Sequence, residues 1–127
     1  MVDYLTGEGP YQGERAEMVD RETIRRAMES LLQAAPAGSE VILFGSYARG
    51  RAYPESDLDF LVIEPEVRDS RREMVRLRLV LDNVIGTLLI PADVLVVSRA
   101  RFDYWRDTPN TVYHEAASHG MTYERIN

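Results

Sequence analysis

Two carboxylates two residues apart, Asp57 and Asp59, are the side chains in this sequence best placed to do chemistry. In an extended strand, residues i and i+2 project from the same face. Asp57 and Asp59 therefore stand side by side, while Leu58 and Phe60 turn to the core. Two adjacent carboxylates repel each other unless a cation lies between them. A hard, oxygen-liganded ion such as Mg²⁺ suits the pair, because it is commonly held by one or two carboxylates plus the phosphates of a substrate.

Upstream lies Gly45-Ser46-Tyr47-Ala48-Arg49-Gly50. Gly45 ends an apolar run, Val41 to Phe44, and Ser46 opens a turn. A strand that passes into a small-residue turn and a helix start presents free backbone N–H groups, which favour a phosphate. Gly45, without a Cβ, lets a phosphate come close to the backbone. The Ser46 hydroxyl can donate to a phosphate oxygen, and Arg49, one helical turn on, can add a cationic contact. Downstream, Asp93 opens another apolar run, Val94 to Val97, although Asp is disfavoured in strands. If that strand lies beside the one carrying Asp57 and Asp59, Asp93 joins them as a third carboxylate and two metal ions become feasible. Alone, the Asp57/Asp59 pair would read as solvent-facing strand residues; the cradle and Asp93 give all of them one shared reason.

The elements that must position these residues are legible from periodicity. Asp20 caps a helix running to about Ala35, with Ile24, Ala27, Met28, Leu31, Leu32 and Ala35 on one face. Val41–Phe44 is a first strand and Leu58–Ile63, beginning at Asp57, a second. Ser70-Arg71-Arg72-Glu73 has the pattern of a capping box at the head of a long helix, with Met74, Leu77, Leu81, Val84, Ile85 and Leu88 as its apolar stripe. Asp93–Val97 is a third strand. Asp107 or Thr108 with Pro109 marks a last helix, ended by Gly120 near His119, and Met121-Thr122-Tyr123 adds a short strand. The order helix, strand, strand, helix, strand, helix implies an α/β (α+β) sandwich: a small mixed sheet flanked by helices.

Composition removes other chemistries. The 127 residues fit one domain, and an apolar fraction of 45% supports one core. With no cysteine there is neither a disulfide framework nor a thiolate metal site. Every basic side chain is arginine, which excludes a lysine Schiff base and a P-loop lysine. A net charge of −6 argues against a broad grip on nucleic acid. No secretory signal or membrane-spanning run is visible, so a cytoplasmic protein without membrane contact is expected. His114 and His119 lie five apart, one too many for a zinc-protease helix face. Arg68, Arg71, Arg72, Arg76 and Arg78 read as a mostly solvated basic helical face.

Gly45-Ser46, ten residues, Asp57-x-Asp59 and a later isolated Asp93 in an apolar strand resemble the nucleotidyltransferase superfamily related to polymerase β. The small size is similar to its minimal branch, the MNT proteins. The resemblance runs from about Asp20 to the C-terminus and implies a nucleotidyltransferase-like fold. It divides the chain into a flexible N-terminal arm, residues 1–19, and a minimal nucleotidyltransferase domain, residues 20–127. It further implies that Asp57 and Asp59 ligate two Mg²⁺ ions (or Mn²⁺), and that Asp93 ligates the catalytic one and helps to activate the acceptor. Gly45 and Ser46 would hold the β/γ phosphates of ATP, and Arg49 fits the common arginine of the motif. Minimal members often pair with a helical HEPN toxin, and some silence it by adding AMP to a tyrosine, so the resemblance implies an antitoxin role. Two alternatives stay open: an aminoglycoside-type small-molecule transferase whose acceptor walls come from a homo-oligomer, and a toxin-binding module that leaves the nucleotide site unused.

Overall fold

The computed structural model describes residues 18–123. Residues 1–17 of the expected N-terminal arm lie outside the described residues. Helix α1 (Arg21–Ala34) starts where expected: the Asp20 carboxylate accepts from the Thr23 backbone N–H at 2.8 Å, satisfying one of the orphan donors of the first turn. Its Ile24, Ala27, Met28 and Leu31 are buried at helical spacing. Strands β1 (Glu40–Phe44) and β2 (Leu58–Glu64) follow. Helix α2 spans Ser70–Ile85, and a single 3₁₀ turn, Gly86–Leu88, leads into β3 (Ala92–Ser98). Helices α3 (Arg99–Trp105) and α4 (Val112–His119) precede a two-residue strand β4 (Met121–Thr122).

The four strands form one mixed sheet in the order β3-β2-β1-β4. The β1/β2 and β1/β4 pairs are antiparallel, while β2/β3 is parallel and joined by α2 as the crossover. Helices α1 and α2 cover one face, enclosing Val41, Leu43, Leu58, Phe60, Val62, Val94 and Val96. The opposite face carries Ile42, Phe44, Leu61, Ile63 and Val97, packed under Phe102 of α3 and Ala116 of α4. Residues of β2 alternate between these two layers, so the strand is buried on both sides except at its start. There the second layer stops short, and Asp59 is only half-buried.

Two local expectations are corrected, and one further helix is found. The cap of α2 is Asp69, whose carboxylate accepts from the Arg72 backbone N–H at 3.1 Å. Ser70 is thus the first helical residue and Glu73 is free to pair elsewhere. Asp107, Thr108 and Pro109 lie in the connection before α4, whose cap is Thr111; Asn110, at φ 68, turns the chain into it. Helix α3, capped by Ser98, was not anticipated. Among the described residues no helix is long and apolar enough to cross a membrane.

Candidate active site

The site is built from three strand ends. Phe44, the last residue of β1, pairs with Asp59 of β2, and Asp59 pairs in turn with Asp93 of β3. The sheet therefore sets the end of β1, Asp59 and Asp93 in one row, about 4.8 Å from strand to strand. Asp57 lies two residues before Asp59, just outside the strand, and is exposed, as is Asp93.

Gly45 is required twice over. Its φ of +82° is left-handed, a region that side-chain-bearing residues enter at a cost. A Cβ there would lie 2.5 Å from Asp59 Oδ2. The space a side chain would need is filled by the carboxylate, so the cradle and the acid are one packing unit. Beyond Gly45 the chain makes a helical turn, with Arg49 N–H donating to the Gly45 carbonyl (3.1 Å) and Arg51 N–H to that of Ser46 (2.9 Å). The N–H groups of Ser46, Tyr47 and Ala48 have no acceptor among the described residues. They are donors of the kind a phosphate takes. The Tyr47 hydroxyl accepts from Val19 N–H at 3.1 Å, tying the turn to the segment that leads into α1.

The electrostatics centre on Asp59. Burial, and then the charges of Asp93 and Asp57, push its carboxyl up to about 6. Both causes are penalties that a bound cation would remove. Asp93 has a cation nearby: Arg78 Nη1 lies 3.7 Å from its Oδ1, and Arg78 also reaches Asp82 at 3.6 Å. Among the described residues no three acidic or imidazole groups are gathered tightly enough to enclose an ion. The donor set still fits Mg²⁺ by chemistry, as three hard carboxylates, two of which raise the proton affinity of Asp59 between them. Because the register holds Asp59 and Asp93 on neighbouring strands, gathering them is a matter of side-chain rotation.

Five of the six expected residues, Gly45, Ser46, Asp57, Asp59 and Asp93, thus meet at one end of the sheet. Arg49 sits on the same turn, but its guanidinium is 3.3 Å from Glu115 of α4. Two residues that sequence reasoning did not attach to the site are Arg78 and Glu115. The sequence places Arg78 on a solvated basic face and gives no local signal for Glu115. His114 and His119 lie within and at the end of α4, as expected.

Residues 21–111, well over half of the chain, match the model of the family described as "Nucleotidyltransferase domain". The chain belongs to that family. It is similar to a protein assigned as a minimal nucleotidyltransferase, with 27% identity and a TM-score of 0.56 over 83% of this chain and 97% of that one. A crystal structure of a toxin–antitoxin with AMP-PNP shares the fold, at 20% identity and a TM-score of 0.53, covering 83% of this chain and 73% of that one. So does a toxin–antitoxin MntA–HpeT mutant in which two aspartates two residues apart are changed to glutamate, at 15% identity and a TM-score of 0.51, covering 83% and 72%. No curated protein sequence matches the nucleotidyltransferase.

Proposed function

We propose that this nucleotidyltransferase moves AMP from Mg-ATP to a hydroxyl on a partner protein, a tyrosine of a HEPN-type toxin, and so acts as an antitoxin. The observation that carries this reading is the row Gly45–Asp59–Asp93. A phosphate cradle is packed against one carboxylate, and a second carboxylate stands beside it on the next strand. The nucleotide and the toxin partner draw support from the fold neighbours, one a toxin–antitoxin with AMP-PNP and one a toxin–antitoxin mutant. The two altered aspartates of that mutant have the spacing of Asp57 and Asp59.

In this reading the free N–H groups after Gly45 and the Ser46 hydroxyl hold the β/γ phosphates. Asp57, Asp59 and Asp93 would hold Mg²⁺, which when bound neutralises charge developing on the transferring phosphoryl group. The acceptor oxygen attacks the α-phosphorus, the bond from that phosphorus to the bridging oxygen breaks, and pyrophosphate leaves. The acceptor proton passes to an Asp93 carboxylate oxygen, the exposed one of the row. Arg49 is the phosphate cation held in reserve by Glu115. In this reading the catalytic domain lies within residues 20–127.

The test uses purified chain, a helical HEPN-type protein as candidate acceptor, and ATP labelled on the α-phosphate. Label should move to a tyrosine of that protein only with Mg²⁺ or Mn²⁺. Tight complex formation without label transfer would favour the non-catalytic binding module. Label on an aminoglycoside but not on the protein would favour the small-molecule transferase.

A further inference from the structure

Among the described residues, strand β3 lies at the edge of the sheet and pairs only with β2. Natural edge strands are usually blunted by inward charges, proline or a bulge. Here the central residues Val94-Leu95-Val96-Val97 carry none of these. Beside this edge runs a groove of about 900 Å³, floored by Leu61 and Leu95 and walled by Trp105 and Tyr113. Leu95 is 36% exposed.

The groove lies along the same pair of strands as the row of acids. Leu61 and Leu95 pair with each other, as Asp59 and Asp93 do two residues earlier on the same sheet face. The floor therefore begins about 7 Å along the strands from the carboxylates. Its charge is one-sided. Arg68 and Arg101 line it and no Asp or Glu does, in a chain with 21 acidic residues and a net charge of −6. Both arginines are exposed, and neither is ion-paired among the described residues.

We propose that the free edge of β3 and its groove receive an extended, acidic, hydroxyl-bearing segment of the acceptor protein. Arg68 and Arg101 take its carboxylates, and its hydroxyl side chain reaches Asp93. This rests on the reading that Asp93 serves the acceptor. An added strand gains main-chain hydrogen bonds from the edge and places alternate side chains on the Leu61/Leu95 floor. A polynucleotide fits poorly, because two arginines over an apolar floor make no basic track.

The test uses the full chain and three fluorescent probes: a peptide alternating Glu and Val around a central Tyr, the same peptide with Lys for Glu, and single-stranded oligo-dT. Anisotropy should show the acidic peptide binding about tenfold or more tighter than the other two. Hydrogen exchange of the backbone amides in residues 92–98 should slow when it binds. The double variant Arg68→Glu, Arg101→Glu should lose that preference while melting like the parent and binding Mg-ATP equally well. The proposal is overturned if oligo-dT or the Lys peptide binds as tightly, if the β3 amides exchange unchanged, if the double variant keeps the preference, or if the chain proves to be a dimer through β3. Acidic-peptide binding with protected β3 amides, in a chain that fails to bind Mg-ATP, would uphold the groove and sink the nucleotide reading instead.

Discussion

Asp59 and Asp93 pair across neighbouring parallel strands, and each stands two residues ahead of a leucine of the pair Leu61 and Leu95. The same register that seals the sheet under α3 and α4 thus ends in two facing acids where that cover stops. Asp59 does not help the fold, since it is half-buried among like charges.

Neutralising either acid should therefore separate activity from stability. Asp59→Asn and Asp93→Asn are each expected to lower label transfer by about a hundredfold or more. Without metal, Asp59→Asn should melt no lower than the parent, and slightly higher because repulsion is relieved. Label transfer and thermal melts on the same preparations check this. Parent-rate transfer by both variants would sink the assignment.

Gly45→Ala should do the opposite and damage both at once. The left-handed φ alone costs about 1–2 kcal/mol for a residue with a Cβ, and the added methyl meets the Asp59 carboxylate. Denaturant melts should show at least that loss, and ATP titration should show weakened binding in the fraction still folded. A variant as stable as the parent would mean that the turn relaxes without strain.

Ser46→Ala should leave the melt unchanged, because the Ser46 side chain has no hydrogen-bond partner among the described residues. Its expected effect is on Mg-ATP affinity, weaker by roughly 1.5–3 kcal/mol for one hydrogen bond to a charged group. Calorimetry measures this. Unchanged affinity would remove the hydroxyl from the cradle.

At the far end of β2, Glu64 is 3% exposed. Burial, then a hydrogen bond with Glu73 and that group's charge, push its carboxyl up to about 7, against the opposing pull of Arg76. Glu73 is held down at about 2 by Arg76 and by Glu64. A carboxyl raised on folding binds more protons folded than unfolded, so its stabilisation is full below its usual 4.5 and fades as pH rises towards 7. Glu64→Gln stays neutral and can still donate to Glu73. Urea melts should find it equal to the parent near pH 5 and more stable at pH 8, by roughly 1–2 kcal/mol. Two curves that stay parallel from pH 5 to pH 8 would contradict this.

Much of this was legible from local pattern. Helix α1 announces itself by the Asp20 cap and its apolar spacing, and the strands by short apolar runs that end in Gly45 and Pro65. The mixed sheet with flanking helices follows from their order. What escaped has physical reasons. Helix α3 buries one side chain, Phe102, and so shows no period. Asp69 and Ser70 are both good caps, and only the fold chooses between them. Pro109 signals a helix start, yet the chain first turns through Asn110. The Arg49–Glu115 and Arg78–Asp93 pairs join residues far apart in sequence, which no local pattern reveals.

The strict alternation in β2 has one more consequence. Leu58 and Phe60 enter one core while Asp59, between them, faces the site. A slip of a single residue in the β1/β2 pairing would send the acid inward and the phenyl ring outward. A mispaired chain can therefore neither hide its defect nor keep its site. If Asp59 holds the metal as proposed, nucleotide transfer should be lost on denaturation together with the correctly registered sheet.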